Sequence, residues 1–515
     1  MRHWGAPLAM LAAVGALVAV PVVLRRDRPA VLSDAAQVIV ITPNNEQIRQ
    51  EFGDAFARWH QRTFGTPAAV VWNTPGGAGD IRRLLEAGAV AALRDGRPVG
   101  GDADLLFGGG SYEYERLKRP ISVEVGGQVR SASILEPLRF DQAWLDGIYG
   151  RNEIAGRPLY DPEGAWYGCA LSAFGIVSNR DVLARLGVPD PTDWSALADP
   201  RLQGWVALVN PAQSASVATA METILLREGW DAGWAILRRA AGNARSIAAS
   251  GTSAPIEVAQ GEAAAAIAID FYGRFQQQAV ADGGSPGRMA YIDPVGKTAV
   301  DADPIALLRG APHPETARRF VEFALSREGQ LLWQLPPGQP DGPAHFGLRR
   351  LPASRAVYAS DGARFVDRVD PWKLVSAIPA PDADVRAFVA PLFVAMAVED
   401  RALLREAWRR IAAHPAYPRD GRVLRAADAT DPRLRAMLEA FDAMPAVPGP
   451  DGASLSLSDP AARAAVARGW LRGEWKDRGL WAPDDSPAER FRACCAAAIA
   501  ANLRRVIALD QEAPR

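Results

Sequence analysis

Cysteine and histidine are scarce in this sequence of 515 residues. The three cysteines are Cys169, Cys494 and Cys495, and because the last two are adjacent they indicate no disulfide framework, even outside the cytoplasm. The five histidines are scattered along the chain, and neither a CxxC nor an HExxH pattern occurs. We therefore expect no zinc site and a fold that is stabilised by packing.

An excess of charge of either sign is also missing. Lysine and arginine number 58 and aspartate and glutamate 59, so no net field attracts the chain to nucleic acid or anionic lipid. A nucleic-acid partner is therefore not expected. Hydrophobic residues make up 49% and charged residues 23%, which is typical of a soluble globular protein with ample core material. The length favours roughly two to four domains.

The N-terminus departs from this soluble profile. The segment from Gly5 to Leu24 contains no charged residue, is long enough to cross a bilayer and has arginines on both sides. It is longer than the apolar region of most signal peptides, and no small-residue cleavage motif follows it, which favours an uncleaved signal anchor over a removed signal peptide. We assign residues 1–30 to this signal anchor or signal peptide. We expect a periplasmic or extracytoplasmic protein, anchored in the membrane by this segment.

The stretch "VIVITPNNEQIRQEF", from Val38 to Phe52, predicts a strand followed by a helix. Its first four residues form an uninterrupted apolar run, which is typical of a buried strand. Its second half places apolar residues at helical spacing, and Thr42 or Asn44 is positioned to accept hydrogen bonds from the first free amides. In an open parallel sheet such turns line the crevice at the carboxyl ends of the strands, where free N–H groups suit an anion. A turn that binds nothing is the alternative.

The same alternation continues to about Leu106 and predicts a βαβαβ unit, which makes a parallel sheet wound with helices. Three of its strand-to-helix junctions, "TPNN", "TPGGAGD" and "GGGSYEYERL", are rich in Gly, Asn, Ser or Thr. Glycine lets the backbone approach a ligand closely and leaves amides free, although glycine is also common in ordinary turns.

A second group of strands and turns follows. "SAFGIVSN" and "WVALVN" are typical of strands, and the latter leads into "PAQSAS", whose serines either cap the next helix or contact a ligand. "SGTSAP" predicts another turn before a helix. "AAAAIAIDFYGRF" predicts a small-residue strand that ends in Asp270, Phe271, Tyr272 and Gly273.

Beyond Pro381 the composition changes to Ala, Arg and Leu with helical periodicity. The loop "PAVPGPDGASLSLSDP" divides this region, and we expect the last helices, beyond the loop, to pack on the body rather than form a site. The predicted helices are 384–398, 401–414, 431–444, 460–475 and 487–510.

Several segments resemble the extracellular solute-binding proteins of ABC transporters, in particular the ferric-iron and related anion-binding group. These segments are "TPNNEQIRQEFGDAFARW", "DLLFGGG", "GCALSAFGIVSNRDVLARLGVP", "DWSALADPRLQGWVAL" and "GKTAVDADPIALLRGAPHPETARRFVEFALSREGQ". The resemblance covers about Val38 to Pro381, roughly two thirds of the chain, with the motifs in the family's order. It implies an α/β, two-lobed type 2 periplasmic-binding-protein fold, with two strands that cross between the lobes as a hinge. The crossings are expected near Ala170 to Val177 and near Tyr291 to Val300.

The resemblance also implies a division of the chain. Lobe 1 is discontinuous and covers 36–170 and 296–380, lobe 2 covers 171–295, and 381–515 is a helical C-terminal region.

In such proteins the strand-to-helix turns line the cleft between the lobes, so the resemblance implies ligand-binding residues at these turns. They are Asn44, Asn45, Gly109, Ser111, Ser214, Ser216, Thr252, Ser253, Asp270 and Tyr272. Iron binders of this group commonly present two adjacent tyrosines, whereas this chain has Phe271 followed by Tyr272. Ferric iron prefers several anionic oxygens. Tyr272, Asp270 and Glu46 are therefore its candidate ligands only with a bound synergistic anion, and a phosphate- or carboxylate-bearing solute suits the turns equally well.

The resemblance implies a solute-binding component of an ABC importer that binds a small anionic solute or a ferric chelate and delivers it to a membrane permease. It implies a monomer without covalent chemistry and without a cofactor, apart from a ferric ion with its synergistic anion. Two alternatives are considered. An enzyme on the same fold would use Cys169, in "WYGCAL", as its nucleophile, and a packed core cysteine is the competing interpretation. A membrane-tethered sensor would bind a partner through the helical tail, so truncation after Ala380 would abolish partner binding and spare solute affinity.

Overall fold

The computed structural model describes residues 35–375, 382–450, 452–476, 478–480 and 486–511. The predicted signal anchor or signal peptide lies outside the described residues. Within those ranges no helix combines the length and the apolar character that a membrane span requires.

The chain begins with alternating strands and helices, an order that the hydrophobic pattern predicts as far as Leu106, and three successive strands precede the last helix of this part. Its elements are β1 (Ala36–Ile41), α1 (Glu46–Phe64), β2 (Ala68–Asn73), α2 (Ala78–Asp95), β3 (Leu105–Phe107), α3 (Ser111–Leu117), β4 (Ile121–Val125), β5 (Gln128–Ala132), β6 (Leu135–Glu136) and α4 (Gln142–Tyr149). The helix α1 begins where the Asn45 side chain accepts a hydrogen bond from the Ile48 amide, and it ends at Gly65, whose φ of 72° favours glycine.

The next part of the chain repeats this alternation. Its elements are β7 (Tyr167–Asn179), α5 (Arg180–Leu186), β8 (Val206–Val209), α6 (Ala215–Glu228), α7 (Trp230–Gly242), β9 (Ala244–Ala248), α8 (Ser253–Ala259), β10 (Ala265–Ile269), α9 (Asp270–Asp282) and β11 (Met289–Ile292). Short 3₁₀ helices cover Trp194–Ala198 and Pro200–Leu202. The predicted strand that ends in Asp270 to Gly273 is corrected here, because the strand stops at Ile269 and Asp270 opens α9.

The chain then returns to the first group of strands. The elements of this return are β12 (Val300–Leu308), α10 (Pro314–Leu325), α11 (Arg327–Leu331), β13 (Leu351–Pro352), α12 (Arg355–Asp361), a 3₁₀ helix (Gly362–Arg364) and α13 (Pro371–Leu374).

The main sheet has the strand order β2-β1-β3-β12-β7-β10-β8-β9, with β6 beside β12 and both β11 and β13 beside β7. We define lobe 1 as the part built on β2, β1, β3 and β12, and lobe 2 as the part built on β9, β8, β10 and β11. In each lobe three parallel strands stand next to one antiparallel strand that comes from a crossing. The repeated order confirms the predicted two-lobed type 2 fold.

Within the described ranges, two segments connect the lobes. The strand β7 crosses once, because its residues up to Ala173 pair with β12 and those from Phe174 pair with β10. The second crossing is the segment 293–299 between β11 and β12. Both crossings lie where the family resemblance implies them, and we keep the domain bounds given above as the proposed division of the chain.

The C-terminal region is helical, as predicted. Its elements are α14 (Ala383–Phe393), a π-helical turn (Val394–Val398), α15 (Arg401–Ala413), a 3₁₀ helix (Ala426–Asp428), α16 (Pro432–Asp442), β14 (Ala446–Pro448), β15 (Ser454–Ser456), α17 (Pro460–Val466), a second π-helical turn (Ala467–Leu471) and α18 (Pro487–Gln511). The helix α14 packs on α6, and both α15 and α16 pack on α7. Apolar side chains of these helices and of lobe 2 form one continuous core. The C-terminal region is therefore built onto lobe 2.

Candidate functional site

A cavity of about 700 Å³ lies between the two lobes. Lobe 1 lines it with the turns that follow β1, β2 and β3, and lobe 2 lines it with the turns that follow β8 and β9 and with the start of α9. The C-terminal region adds a third wall through Arg386, Ala387 and Ala390 of α14. The sequence analysis did not predict this wall.

Half of the predicted ligand residues line this cavity. They are Asn44, Gly109, Ser214, Ser216 and Tyr272. The other five, Asn45, Ser111, Thr252, Ser253 and Asp270, do not line it.

The structure gives most of these five another position. Asn45 caps α1, and together with Thr252 it lines a smaller pocket of about 200 Å³ that shares Tyr272 with the main cavity. Ser253 begins α8, and Asp270 is fully buried at the start of α9. Whether any of the ten residues contacts a solute stays a prediction.

The turn after β1 is held by hydrogen bonds within lobe 1. The Thr42 hydroxyl donates to the Phe107 carbonyl at 2.6 Å, and the Asn44 amide N–H donates to the Thr42 hydroxyl at 3.0 Å. Gly108 has a φ of 95°, and a Cβ at this position would approach the Asn44 side-chain nitrogen to 2.6 Å. Glycine is therefore required for β3 to end so close to the turn after β1.

The turn after β3 already binds two carboxylates of β12. The Gly109 amide donates to Asp303 Oδ1 at 3.0 Å, and the Ser111 hydroxyl donates to Asp301 Oδ1 at 2.7 Å. Asp301 also faces the buried Arg157, whose Nη1 lies 3.5 Å from Asp301 Oδ1. Asp301 and Asp303 thus already bind the hydroxyl and the amide that the sequence analysis predicted to bind a solute. The turn after β3 therefore has fewer free hydrogen-bond donors for a solute than its composition indicates.

The start of α6 is more open. Ser214 precedes the helix without capping it, and its hydroxyl lies 3.1 Å from the hydroxyl of Ser216. Ser250 and Gly251 of the turn after β9 line the cavity beside these two serines. Hydroxyl groups and the first amides of a 14-residue helix therefore border the cavity, and this arrangement suits a negatively charged group.

Among the described residues four arginines line the cavity, and each faces an acidic side chain. The pairs are Arg82–Glu113 (2.5 Å), Arg83–Asp80 (2.5 Å), Arg350–Asp303 and Arg386–Glu222 (3.4 Å). The sequence analysis missed all four arginines as site residues. Nothing in the local sequence marks Arg350 or Arg386, because the first lies in a Pro-rich loop and the second in an Ala-rich helix far along the chain.

Arg350 connects several parts of the lobe 1 wall and is buried. Its guanidinium donates to Asn44 Oδ1 at 3.2 Å and to the Ser172 hydroxyl at 2.9 Å, and it forms the ion pair with Asp303. It also lies over the ring of Phe271 in lobe 2, 4.5 Å from the centroid. One side chain thus fixes the turn after β1, the crossing strand β7 and β12.

Part of the chain is similar to known proteins. Residues 126–336 match the family model described as bacterial extracellular solute-binding protein. The match covers less than half of the chain. The model stops short of both chain ends, and it covers β7 with all of lobe 2.

Individual relatives cover the chain in part. The phosphoglycerate transport regulatory protein PgtC of Salmonella typhimurium is 30% identical over 163 residues, which are 32% of this chain and 39% of PgtC. The chain therefore spans less than half of that relative's length. Two solved structures are the periplasmic binding protein AfuA of Actinobacillus pleuropneumoniae with fructose-6-phosphate bound (18% identity, TM-score 0.47, 70% of this chain and 98% of AfuA) and iron-bound HitA of Pseudomonas aeruginosa (18%, 0.43, 57% and 82%).

The candidate iron ligands of this chain are not brought together. Glu46 is exposed in the first turn of α1, Asp270 is buried outside the cavity, and Tyr272 alone lines it. Burial raises the pKa of the Tyr272 phenol, which favours its neutral form over the phenolate that ferric iron prefers. Within the described ranges no group of three or more His, Cys, Asp or Glu side chains is arranged to hold a metal ion. These donors fit a ferric ion poorly.

Cys169 lies in β7, away from the cavity lining, and is fully buried. Its thiol donates to the Asp303 carbonyl at 3.1 Å, and burial raises its pKa well above the ordinary value. A nucleophilic thiol needs the opposite shift and access to a substrate. The geometry is that of a packed core cysteine.

Asp270 carries an unusual charge environment beside the cavity. Burial raises the pKa of its carboxyl to about 7, and the nearby Arg274 opposes this shift only in part. Oδ1 accepts from the Phe271 amide at 2.9 Å, whereas Oδ2 has no hydrogen-bond partner among the described residues. The carboxylate form of Asp270 is therefore poorly solvated in the folded protein.

We expect the substitution D270N to change how stability depends on pH. An acid whose pKa is raised in the folded state binds its proton more tightly there, so its contribution to stability is lost as pH rises from about 4 through 7. The shift of about three pKa units corresponds to at most roughly 4 kcal/mol. Urea unfolding at pH 4.5 and pH 8 should show that D270N gains stability relative to the wild type at the higher pH. An equal difference at both values would contradict the prediction.

Proposed function

We propose that the protein is the extracytoplasmic solute-binding component of an ABC importer, and that it binds a small anionic solute in the interlobe cavity. The observation that carries the proposal is the cavity itself, which is enclosed by strand-to-helix turns of both lobes and bordered by the start of α6. Helix starts and hydroxyl groups stabilise a negative charge without a metal ion. The family match over residues 126–336 supports the same function.

A carboxylate or phosphate group fits the cavity better than ferric iron does. The predicted iron ligands lie apart, as described above, whereas the Ser214 and Ser216 hydroxyls and the Arg386 guanidinium converge on one wall. Guanidinium groups and hydroxyls are the usual protein partners of such anions. The partial relative PgtC carries phosphoglycerate in its name, which makes 3-phosphoglycerate a reasonable first probe.

Solute capture by this fold needs a change in the angle between the lobes. The crossing strand β7 and the segment 293–299 are the covalent connections between lobes 1 and 2 in the proposed division, and they are the natural hinge. We propose that the closed, monomeric protein presents its solute to a membrane permease and performs no covalent step. In this proposal residues 1–30 hold the body at the membrane surface on the extracytoplasmic side.

The proposal predicts that small anions stabilise the purified full chain in mild detergent. At 100 times its dissociation constant, a ligand that binds only the folded state adds about 2.7 kcal/mol to the free energy of unfolding. Thermal unfolding should be measured with 3-phosphoglycerate, inorganic phosphate, citrate and ferric chloride, and with glycerol as the uncharged control. We expect at least one of the three anions to raise the melting temperature by several degrees, and glycerol to have no effect.

A matched pair of variants locates the binding. S216A removes a hydroxyl at the cavity and should weaken binding of the stabilising anion about three- to tenfold, the value of one hydrogen bond. S122A removes an exposed hydroxyl of the β4–β5 hairpin and should leave the affinity unchanged. Stabilisation by ferric chloride alone, or by none of the probes, would contradict the proposed anionic solute.

A further inference from the structure

The helix α14 of the C-terminal region places Arg386 in the wall of the cavity, although most of the described chain separates this residue from the turns after β1 and β2. The residue is 8% exposed. Its Nη1 donates to the Thr219 hydroxyl at 3.0 Å, and its Nη2 donates to the Ala215 carbonyl at 3.2 Å. Both partners lie in the first two turns of α6, so Arg386 stands beside the helix start that borders the cavity.

The ion pair of Arg386 is the longest among the cavity arginines. Its Nη1 lies 3.4 Å from Glu222 Oε2, whereas Arg82 and Arg83 each approach a carboxylate to 2.5 Å and Arg350 is closer still. Burial raises the pKa of Glu222, as it raises the pKa of Asp303 beside Arg350. The longer distance makes Arg386 the cavity arginine that is least tightly paired with its own carboxylate.

The remaining contacts leave room for a further acceptor. In the described part of the chain, the hydrogen bonds of Arg386 to Thr219, Glu222 and Ala215 use three of its five N–H groups. The ring of Tyr112, from α3 of lobe 1, lies over the guanidinium at 4.7 Å and shields one of its faces from water. A guanidinium that is shielded from water and adjoins a helix start binds an anionic group more strongly than an exposed one does.

We propose that Arg386 is a solute-binding residue that holds the anionic group of the solute against the start of α6, so that the C-terminal region completes the binding site. The inference rests on the proposed function, because it requires an anionic solute in the cavity. The group recognised is a carboxylate or a phosphate monoester, which share the oxygen geometry that a guanidinium binds in a bidentate manner.

Two substitutions with opposite expected effects test this role. R386Q removes the cation and should weaken binding of the stabilising anion at least tenfold, as expected for loss of a charge-assisted hydrogen bond. E222Q removes the competing carboxylate and keeps an oxygen acceptor for Arg386, so it should leave the affinity unchanged or raise it. A purely structural Arg386–Glu222 pair predicts instead that both substitutions weaken binding alike.

The experiment uses the full chain and isothermal titration with whichever of 3-phosphoglycerate, inorganic phosphate and citrate stabilises the wild type. Arg472 provides the control, because it pairs with Asp384 of the same helix α14 without lining the cavity. R472Q should bind within threefold of the wild type. If R386Q does not fold, the double variant R386Q/E222Q, which removes both charges, replaces it and should bind at least tenfold more weakly than E222Q.

The outcomes separate this inference from the proposed function. Three results would overturn the role of Arg386 and leave the proposed anionic solute unaffected. They are a loss of affinity of less than tenfold in R386Q, equal losses of affinity in R386Q and E222Q, and a loss in R472Q as large as that in R386Q. A wild-type chain that binds none of the three anions overturns the proposed function and the inference together.

Discussion

Truncation after Ala380 is expected to abolish the native fold of lobe 2, and with it all solute binding. The C-terminal helices and lobe 2 share one continuous hydrophobic core, so removing them exposes apolar side chains of α6 and α7 that are buried in the intact protein. Domains of this size are stable by only about 5–15 kcal/mol. Each large buried apolar side chain contributes about 1.5–3 kcal/mol. The free energy lost with the shared core is therefore larger than the free energy of unfolding of such a domain.

Polar contacts across the same interface add to the effect. Arg239 of α7 is fully buried and donates to both carboxylate oxygens of Asp442, at 2.6 Å and 2.9 Å. The indole N–H of Trp408 donates to Asn243 Oδ1 at 2.6 Å, and its ring lies 5.5 Å from the Arg239 guanidinium. Truncation removes Asp442 and Trp408, and the buried positive charge of Arg239 then lacks its carboxylate partner. The sensor hypothesis, in which the truncated chain keeps its solute affinity, predicts the opposite result.

The truncation is checked by size-exclusion chromatography, far-UV circular dichroism and limited proteolysis of both chain lengths. A point substitution gives a graded version of the same test. W408A should lower the free energy of unfolding by about 3–5 kcal/mol, since Trp408 is fully buried between the two regions. W205A serves as the control and should cost less, because Trp205 is only partly buried. A monomeric truncated chain with an unchanged melting temperature would contradict the prediction.

The substitution R350M is expected to destabilise the protein by about 3–5 kcal/mol at neutral pH and to abolish solute binding. Arg350 is 2% exposed and compensates Asp303, which is 6% exposed. Removal of one partner of a buried ion pair leaves an uncompensated charge, and the cost is of this size. The same substitution frees Asn44 and Ser172, so the lobe 1 wall of the cavity loses its fixed geometry.

The effect of R350M should depend on pH in a defined direction. Burial raises the pKa of Asp303, and Arg350 opposes that shift, so its removal raises the pKa further. An acid with a raised pKa in the folded state contributes stability below its unfolded value, and this contribution is lost as pH rises through the folded value. The deficit of R350M relative to the wild type should therefore be smallest near pH 4 and largest at pH 7 and above.

The double variant R350M/D303N is the control for this interpretation. Asparagine carries no charge to compensate, and its oxygen still accepts from the Gly109 amide, so most of the lost stability should return at pH 7. Urea unfolding of the wild type, the single variant and the double variant between pH 4 and pH 8 measures both effects. A deficit that is independent of pH, or that D303N does not relieve, would show that Arg350 acts by packing alone.

The residues around the cavity show what the local sequence predicts and what it does not. Ser214 and Ser216 were recognisable because hydroxyls between a strand and a helix reach the same edge of a parallel sheet. The same reasoning selected Gly109 and Ser111, whose groups are bound by Asp303 and Asp301 from a strand almost two hundred residues later. Nothing in the segment "GGGSY" indicates that pairing. The composition of the turn therefore predicted more free donors for a solute than the structure has.

The sequence by itself determined the alternation of strands and helices and the helical character of the C-terminal region. Each of these follows from hydrophobic periodicity and turn residues that neighbours along the chain supply. Only the tertiary structure decided which turn groups stay available, which arginines enter the cavity, and that α14 forms part of its wall. Those features depend on contacts between residues that are far apart in sequence. Such contacts leave no local pattern, because the neighbours of a helix residue along the chain do not show which distant residue it contacts.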